Sequence, residues 1–176
     1  MRQVYPVISS TPPVQAEICN YLAAAYFYDA WQVRAAHPEL SLPQQFHRAF
    51  SQTPTWVQFC MNFRNRLVSR LGLKNLGGFA QNLPANLAQA QAQQQFYPGQ
   101  RIGIFCFLHQ TENEFLVEDN DKHLRVILSL HRDSQDNLTL STVVHVHNVW
   151  GKLYMLPVTP MHKLIAPASL KILGQV

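Results

Sequence analysis

Residues 148–173 place the strongest condition on the fold. Trp150, Leu153, Tyr154, Pro157, Met161, Leu164, Ile165, Ala168 and Ile172 recur there at helical spacing, so one side of a terminal helix is apolar along its length. Such a stripe has to be buried, and a curved antiparallel sheet is the host that suits it. Three prolines qualify the helix, because an interior proline lacks a backbone donor and costs about 3 kcal/mol. The expected form is a short helical segment over 149–156, then a main helix from Pro160, capped by Thr159 and kinked or ended near Pro167.

The preceding segment reads as the sheet. His123 to Arg132 and Leu138 to His147 alternate cleanly, while Arg101 to His109 and Glu114 to Asp119 form two further strands. A one-residue slip would put dry faces against wet ones, so alternation fixes the register. It sets Leu124, Val126, Leu128 and Leu130 against Leu138, Leu140, Thr142, Val144 and Val146, with a turn over Asp133 to Asn137. His123 then stands opposite His147, and Arg125 opposite His145.

Upstream, residues 1–25 form an N-terminal arm or short helix, and Tyr26 to Arg34 is a strand with Phe27, Asp29, Trp31 and Val33 on one face. Pro43 to Phe50 is a short helix. A longer one is capped by Thr53, opened by Pro54 and stopped by Gly72; Phe59 and Met61 lie on its broad dry side, and Arg64 projects near the middle of that side. The Gly- and Ala/Gln-rich stretch over 75–100 offers little to bury and reads as a solvent-facing helix or a mobile excursion, with an inert connection favoured over a lid. The order of elements is α+β, a single helix-grip domain over 26–173 in which a curved antiparallel sheet surrounds a long C-terminal helix and leaves a cavity between them.

Composition narrows the function classes. A chain of 176 residues, 47% hydrophobic and 14% charged, has enough apolar mass for a large core or a roomy cavity without disulfides. No apolar run approaches the ~20 residues needed to cross a membrane, and the first residues lack the apolar centre of a signal peptide, so the expected address is the cytoplasm. The net charge of +4 comes from scattered basic residues with no recognition motif, which argues against nucleic acid. Cys19, Cys60 and Cys106 are odd in number and set among apolar neighbours, as reduced thiols are. No phosphate loop or nucleophile elbow appears, and no cofactor is expected.

Three pieces carry a resemblance. They are Tyr28-Asp29-Ala30-Trp31; Thr53-Pro54-Thr55-Trp56-Val57, running on to Phe63-Arg64-Asn65-Arg66-Leu67-Val68 and Gly72-Leu73-Lys74; and His147-Asn148-Val149-Trp150-Gly151-Lys152-Leu153-Tyr154 with Pro160-Met161-His162. Together they resemble a bacterial family catalogued as a domain of unknown function, number 2867, within the START and Bet v 1-like (SRPBCC-type) superfamily. The resemblance spans most of residues 26–173 and implies the helix-grip fold, but it brings no chemistry to any residue. Some relatives look like fusions to a nucleotide-binding reductase or epimerase, which implies a reductase-type protein as a partner. No Gly-x-Gly-x-x-Gly fingerprint exists here for binding a dinucleotide directly.

Arg64 is the sharpest site candidate. A guanidinium on a dry helix face cannot shed its charge, so it either pairs with Asp29 in the core or presents its fork to an acidic ligand. Trp31, Phe59, Met61, Tyr154, Met161 and Ile165 are candidates for the ligand wall, with core packing the competing role for each. His145 and His147 share a strand face at a spacing zinc can use, but Arg125 beside them repels a cation and no third ligand is apparent. Tyr154 or His162 could donate a proton with His147 as base, although no spacing demonstrates a triad.

The leading expectation is therefore a binding protein for a small or medium apolar molecule, optionally acidic. A cyclase, dehydratase or isomerase, or an accessory domain for a reductase, is the alternative. A pure interaction module, using the Ala/Gln segment and the proline-rich N-terminus, is the third.

Overall fold

Strand β6 (Leu124–Arg132) and strand β7 (Asn137–Val146) form the hairpin on which the sheet is built. Leu124 stands opposite Val146, Val126 opposite Val144, Leu128 opposite Thr142 and Leu130 opposite Leu140, the register expected from alternation. Arg125 faces His145, and the His147 amide donates to the His123 carbonyl at 2.8 Å. Asp133 closes the turn by accepting from the Gln135 and Asn137 amides at 2.8 and 2.9 Å. The computed structural model describes residues 4–51 and 96–175. The helix expected from Thr53 to Gly72, with Phe59, Met61 and Arg64, and most of the 75–100 stretch lie outside them.

The other strands are β1 (Ile8–Ser10), β2 (Phe27–Arg34), β3 (Arg101–Ile102), β4 (Phe105–Gln110) and β5 (Glu114–Asn120). The sheet runs β1-β2-β7-β6-β5-β4-β3, and each neighbouring pair is antiparallel. The single strand expected over 101–109 is in fact two. Gly103, at φ +65°, adopts the left-handed conformation and turns the chain, so Ile102 pairs with Phe105. Helix α1 (Leu42–Ser51) opens on a capping box: the Gln44 amide donates to the Ser41 hydroxyl, while the Gln44 side chain accepts from the Ser41 amide at 2.7 Å. Its Phe46 packs on Phe50 and Phe115, with ring centroids 4.5 and 5.4 Å away.

The terminal segment forms one helix, α2 (Val149–Lys171), which crosses β2 and β7 and continues as a 3-10 turn over Ile172–Gly174. This corrects the expected two-part helix: Pro157, Pro160 and Pro167 all lie inside it, and the cap is Asn148, whose side chain accepts from the Gly151 amide at 3.1 Å. The prolines release the carbonyls of Leu153, Leu156 and Lys163, four positions earlier. Those three residues are exposed, so water can satisfy the freed acceptors.

The apolar stripe also needs correction. Trp150, Leu153 and Leu164 are 55, 50 and 64% exposed, whereas Gly151, Tyr154, Met155, Ala166, Ser169 and Leu170 are buried. The helix is apolar on nearly every side, so spacing alone could not identify its inner face. Gly151 marks that face: a Cβ there would lie 2.8 Å from Val146 Cγ1 and closer still to the His123 carbonyl oxygen.

Even positions of β6 and β7 face α2, and odd positions face the other way. Residues Glu17–Tyr21, a 3-10 turn, cover part of that second face, packing Ile18 with Leu116, Ile127 and Val143. The buried Glu114 carboxylate anchors the turn by accepting from the Glu17 and Ile18 amides and the Ser129 hydroxyl. The result is an α+β helix-grip arrangement, a curved antiparallel sheet with α2 held against one face.

Candidate functional site

Two apolar clusters lie between α2 and the sheet. The larger contains Phe46, Phe50, Phe105, Phe115, Leu128, Leu140 and Leu170; the smaller joins Leu124 and Val144 to Tyr154 and Met155. Between them the facing side chains shorten to Thr142, Val158, Ala166 and Ser169, and a cavity of about 140 Å³ opens. Phe27, Val126, Met161, His162 and Ile165 also line it. The helical lining positions 154, 155, 158, 161, 162, 165, 166 and 169 recur every three or four residues, which is the true inner stripe of α2.

The wall is apolar apart from a few groups. Ser169 is fully buried, and its hydroxyl has no hydrogen-bond partner among the described residues. Asp119 and Tyr154 also border the space. His162 is the titratable nitrogen base among the described lining residues. Its Nε2 lies 3.1 Å from Asp29 Oδ1, and its ring meets Phe27 edge-on at 5.7 Å. The other Asp29 oxygen, Oδ2, accepts from Trp31 Nε1 at 3.1 Å.

This arrangement follows from strand alternation. Phe27, Asp29 and Trp31 share the face of β2 turned toward α2 and pair across to Val144, Thr142 and Leu140. Burial alone would push Asp29 up, but the hydrogen bond from His162, the charge of His162 and the Trp31 hydrogen bond outweigh it and hold the carboxyl below the ordinary range. Thr142 adds to this effect from directly opposite; its hydroxyl is near the carboxylate but outside hydrogen-bond geometry, so it too is buried without a partner among the described residues.

Among the expected wall residues, Tyr154, Met161 and Ile165 line the cavity. Trp31 instead holds Asp29, and Asp29 acts on the cavity through His162. Whether Arg64 reaches Asp29 lies outside the described residues, as do the positions of Phe59 and Met61. His147 is not brought to Tyr154 and His162: its odd position turns it to the other face, where Nε2 lies 3.4 Å from Asn120 Oδ1. His145 Nε2 lies 2.9 Å from the Tyr21 carbonyl oxygen, and Arg125 donates to Glu118 at 2.7 Å. Among the described residues no group of three or more His, Cys, Asp or Glu side chains could hold a metal ion.

Phe27, Thr142, Met155, Val158 and Ser169 line the cavity without being among the expected wall residues. Parity pointed to the first two, since Phe27 and Thr142 fall on the dry faces of their strands. Ser169 carried a fainter signal, a lone hydroxyl amid apolar helix positions.

Fold and site together define an α+β helix-grip protein with an apolar cavity and a histidine–aspartate pair at its wall. The chain belongs to the family described as a protein of unknown function, DUF2867, which matches residues 21–169. No curated protein and no solved structure matches the chain. No helix among the described residues is long and apolar enough to cross a membrane.

Proposed function

We propose that the protein binds a small, largely apolar molecule with at least one hydrogen-bonding group in the cavity between α2 and the sheet. The supporting observation is Ser169, whose fully buried hydroxyl has no partner among the described residues and borders that cavity. Leaving such a group unpaired costs about 1–3 kcal/mol, which a guest offering a donor or acceptor would recover. The volume of about 140 Å³ limits the guest. An apolar cavity of about 150 Å³ accommodates benzene, so a single ring or short chain fits, at the small end of the size range expected from sequence.

The described wall asks for a hydrogen bond rather than a charge; recognition of an acidic end would fall to Arg64. A START or Bet v 1-like kinship, one domain over 26–173 and a cytoplasmic address, where Cys19 and Cys106 would stay as free thiols, belong to the same reading.

Native mass spectrometry of protein purified from its own host, followed by extraction of any retained molecule, tests this function. A stoichiometric guest of single-ring size supports it. Ligand-free protein under conditions that preserve weak complexes, with no rise in melting temperature in millimolar phenol or indole, refutes it.

A further inference from the structure

His162 has its two ring nitrogens in different situations. Nε2 is held by Asp29, whose second oxygen is occupied by the Trp31 indole N–H. Whenever the imidazole is neutral, a carboxylate accepting from it fixes its proton on Nε2 and leaves the Nδ1 lone pair as the acceptor. Among the described residues none hydrogen-bonds Nδ1, and the ring borders the cavity. A base oriented by a buried carboxylate beside an apolar cavity is the arrangement proton abstraction requires.

We propose that His162 is a general base and Asp29 its positioning residue, and that the protein catalyses proton transfer on the small molecule held in the cavity. This inference rests on the binding function proposed above. The substrate class is a carbon acid, a molecule with a C–H bond next to a carbonyl or comparable electron-withdrawing group. In a β,γ-unsaturated carbonyl compound Nδ1 takes the α proton, the C–H electron pair forms the enolate double bond as the carbonyl pair moves onto oxygen, and the imidazolium returns the proton to the γ carbon of this dienolate as the carbonyl re-forms and the remaining double bond shifts into conjugation. No oxidant, reductant or co-reactant is consumed, so the reaction is an isomerisation. The Thr142 hydroxyl, opposite Asp29 on the cavity wall and without a hydrogen-bond partner among the described residues, would bond the developing oxyanion. The Asp29 charge, held 3.1 Å from the ring, stabilises the imidazolium formed on the way.

The probe is 3-cyclohexenone, a single-ring β,γ-unsaturated ketone of the size the cavity admits. A base removes a proton between its carbonyl and its double bond, and reprotonation at the γ carbon gives the conjugated ketone, followed by its ultraviolet absorbance. Its stable isostere phenol, planar like the dienolate, reports binding separately, by calorimetry. Wild-type protein, His162→Gln and Asp29→Asn are compared across pH, with Asp119 and Tyr154 noted as the other titratable groups at the cavity. The expected result is that all three bind the isostere within about threefold, that His162→Gln loses about 10²–10⁴-fold in kcat, and that Asp29→Asn lowers kcat and moves the pH profile with little change in KM. Bound isostere with a rate indifferent to His162→Gln overturns the catalytic proposal and leaves binding intact. Folded wild-type protein that fails to bind the isostere overturns both.

Discussion

His162 and Asp29, 133 positions apart in the chain, meet at 3.1 Å where α2 crosses β2. The contact ties the middle of the helix to the sheet and anchors one edge of the cavity. Each partner depends on the other's element: alternation in β2 turns Asp29 inward, and the 3.6-residue period of α2 brings His162 onto it.

That pair predicts an acid-sensitive step. The folded Asp29 carboxyl titrates below the ordinary range near ~3.9, so its stabilisation is fully present above that value and is lost as pH falls through the lower folded value. Wild-type melting temperature should therefore fall more steeply below about pH 4 than that of Asp29→Asn, which should be about 1.5–3 kcal/mol less stable at neutral pH. Parallel curves for the two proteins would show that the carboxylate contributes nothing.

Gly151 lets the first turn of α2 approach the end of the β6–β7 hairpin. Gly151→Ala sets a methyl against the His123 carbonyl and Val146, and the carbonyl is fixed by its bond from the His147 amide. Overpacking of this kind costs about 1–3 kcal/mol, despite alanine's better helix propensity. Urea denaturation should give a lower midpoint with an unchanged slope; a stabilised variant would contradict the close approach.

Glu114 supports the face away from α2. Its removal in Glu114→Ala orphans the Glu17 and Ile18 amides and the Ser129 hydroxyl, at a cost of about 3 kcal/mol. Hydrogen exchange should show those two amides losing protection first, before the β6–β7 ladder opens. Retained protection at Glu17 and Ile18 would place their anchor elsewhere.

Ser169→Ala separates stability from binding. Because the hydroxyl is already without a partner, its loss should leave the empty protein within about 0.5 kcal/mol of wild type, or slightly more stable. The same change should weaken a guest that bonds it by about 0.5–1.5 kcal/mol in calorimetry. Equal affinity for phenol in both proteins would remove Ser169 from the recognition site.

The inner and outer faces of α2 respond differently to truncation. Leu170→Ala, at a fully buried position, should cost about 2–5 kcal/mol, whereas Leu164→Ala, 64% exposed, should stay within about 0.5 kcal/mol. Comparable losses at the two positions would mean that the helix is turned differently on the sheet.

The hairpin was legible because its information is local. Alternation in Leu124–Arg132 and Asn137–Val146 allowed one register, and Arg125 stands opposite His145 as alternation required. The α+β helix-grip order followed from the same patterns. The orientation of α2 was not legible, since leucines, prolines and a tryptophan surround it and a period needs contrast to identify a face. Its prolines misled for a related reason: their penalty is large only where freed carbonyls lack water, and whether Leu153, Leu156 and Lys163 reach solvent depends on what packs beside the helix.

The candidate site divides in the same way. Backbone period puts Asp29, Tyr154, Met161, His162 and Ile165 on elements able to face one another, because side-chain direction follows it. Packing set the contact of His162 with Asp29 and turned His147 away. It alone placed Ser169 and Thr142 where apolar packing leaves space. These are distances between residues remote in sequence, set by how far α2 is rotated and shifted on the sheet, and no local pattern encodes that rotation.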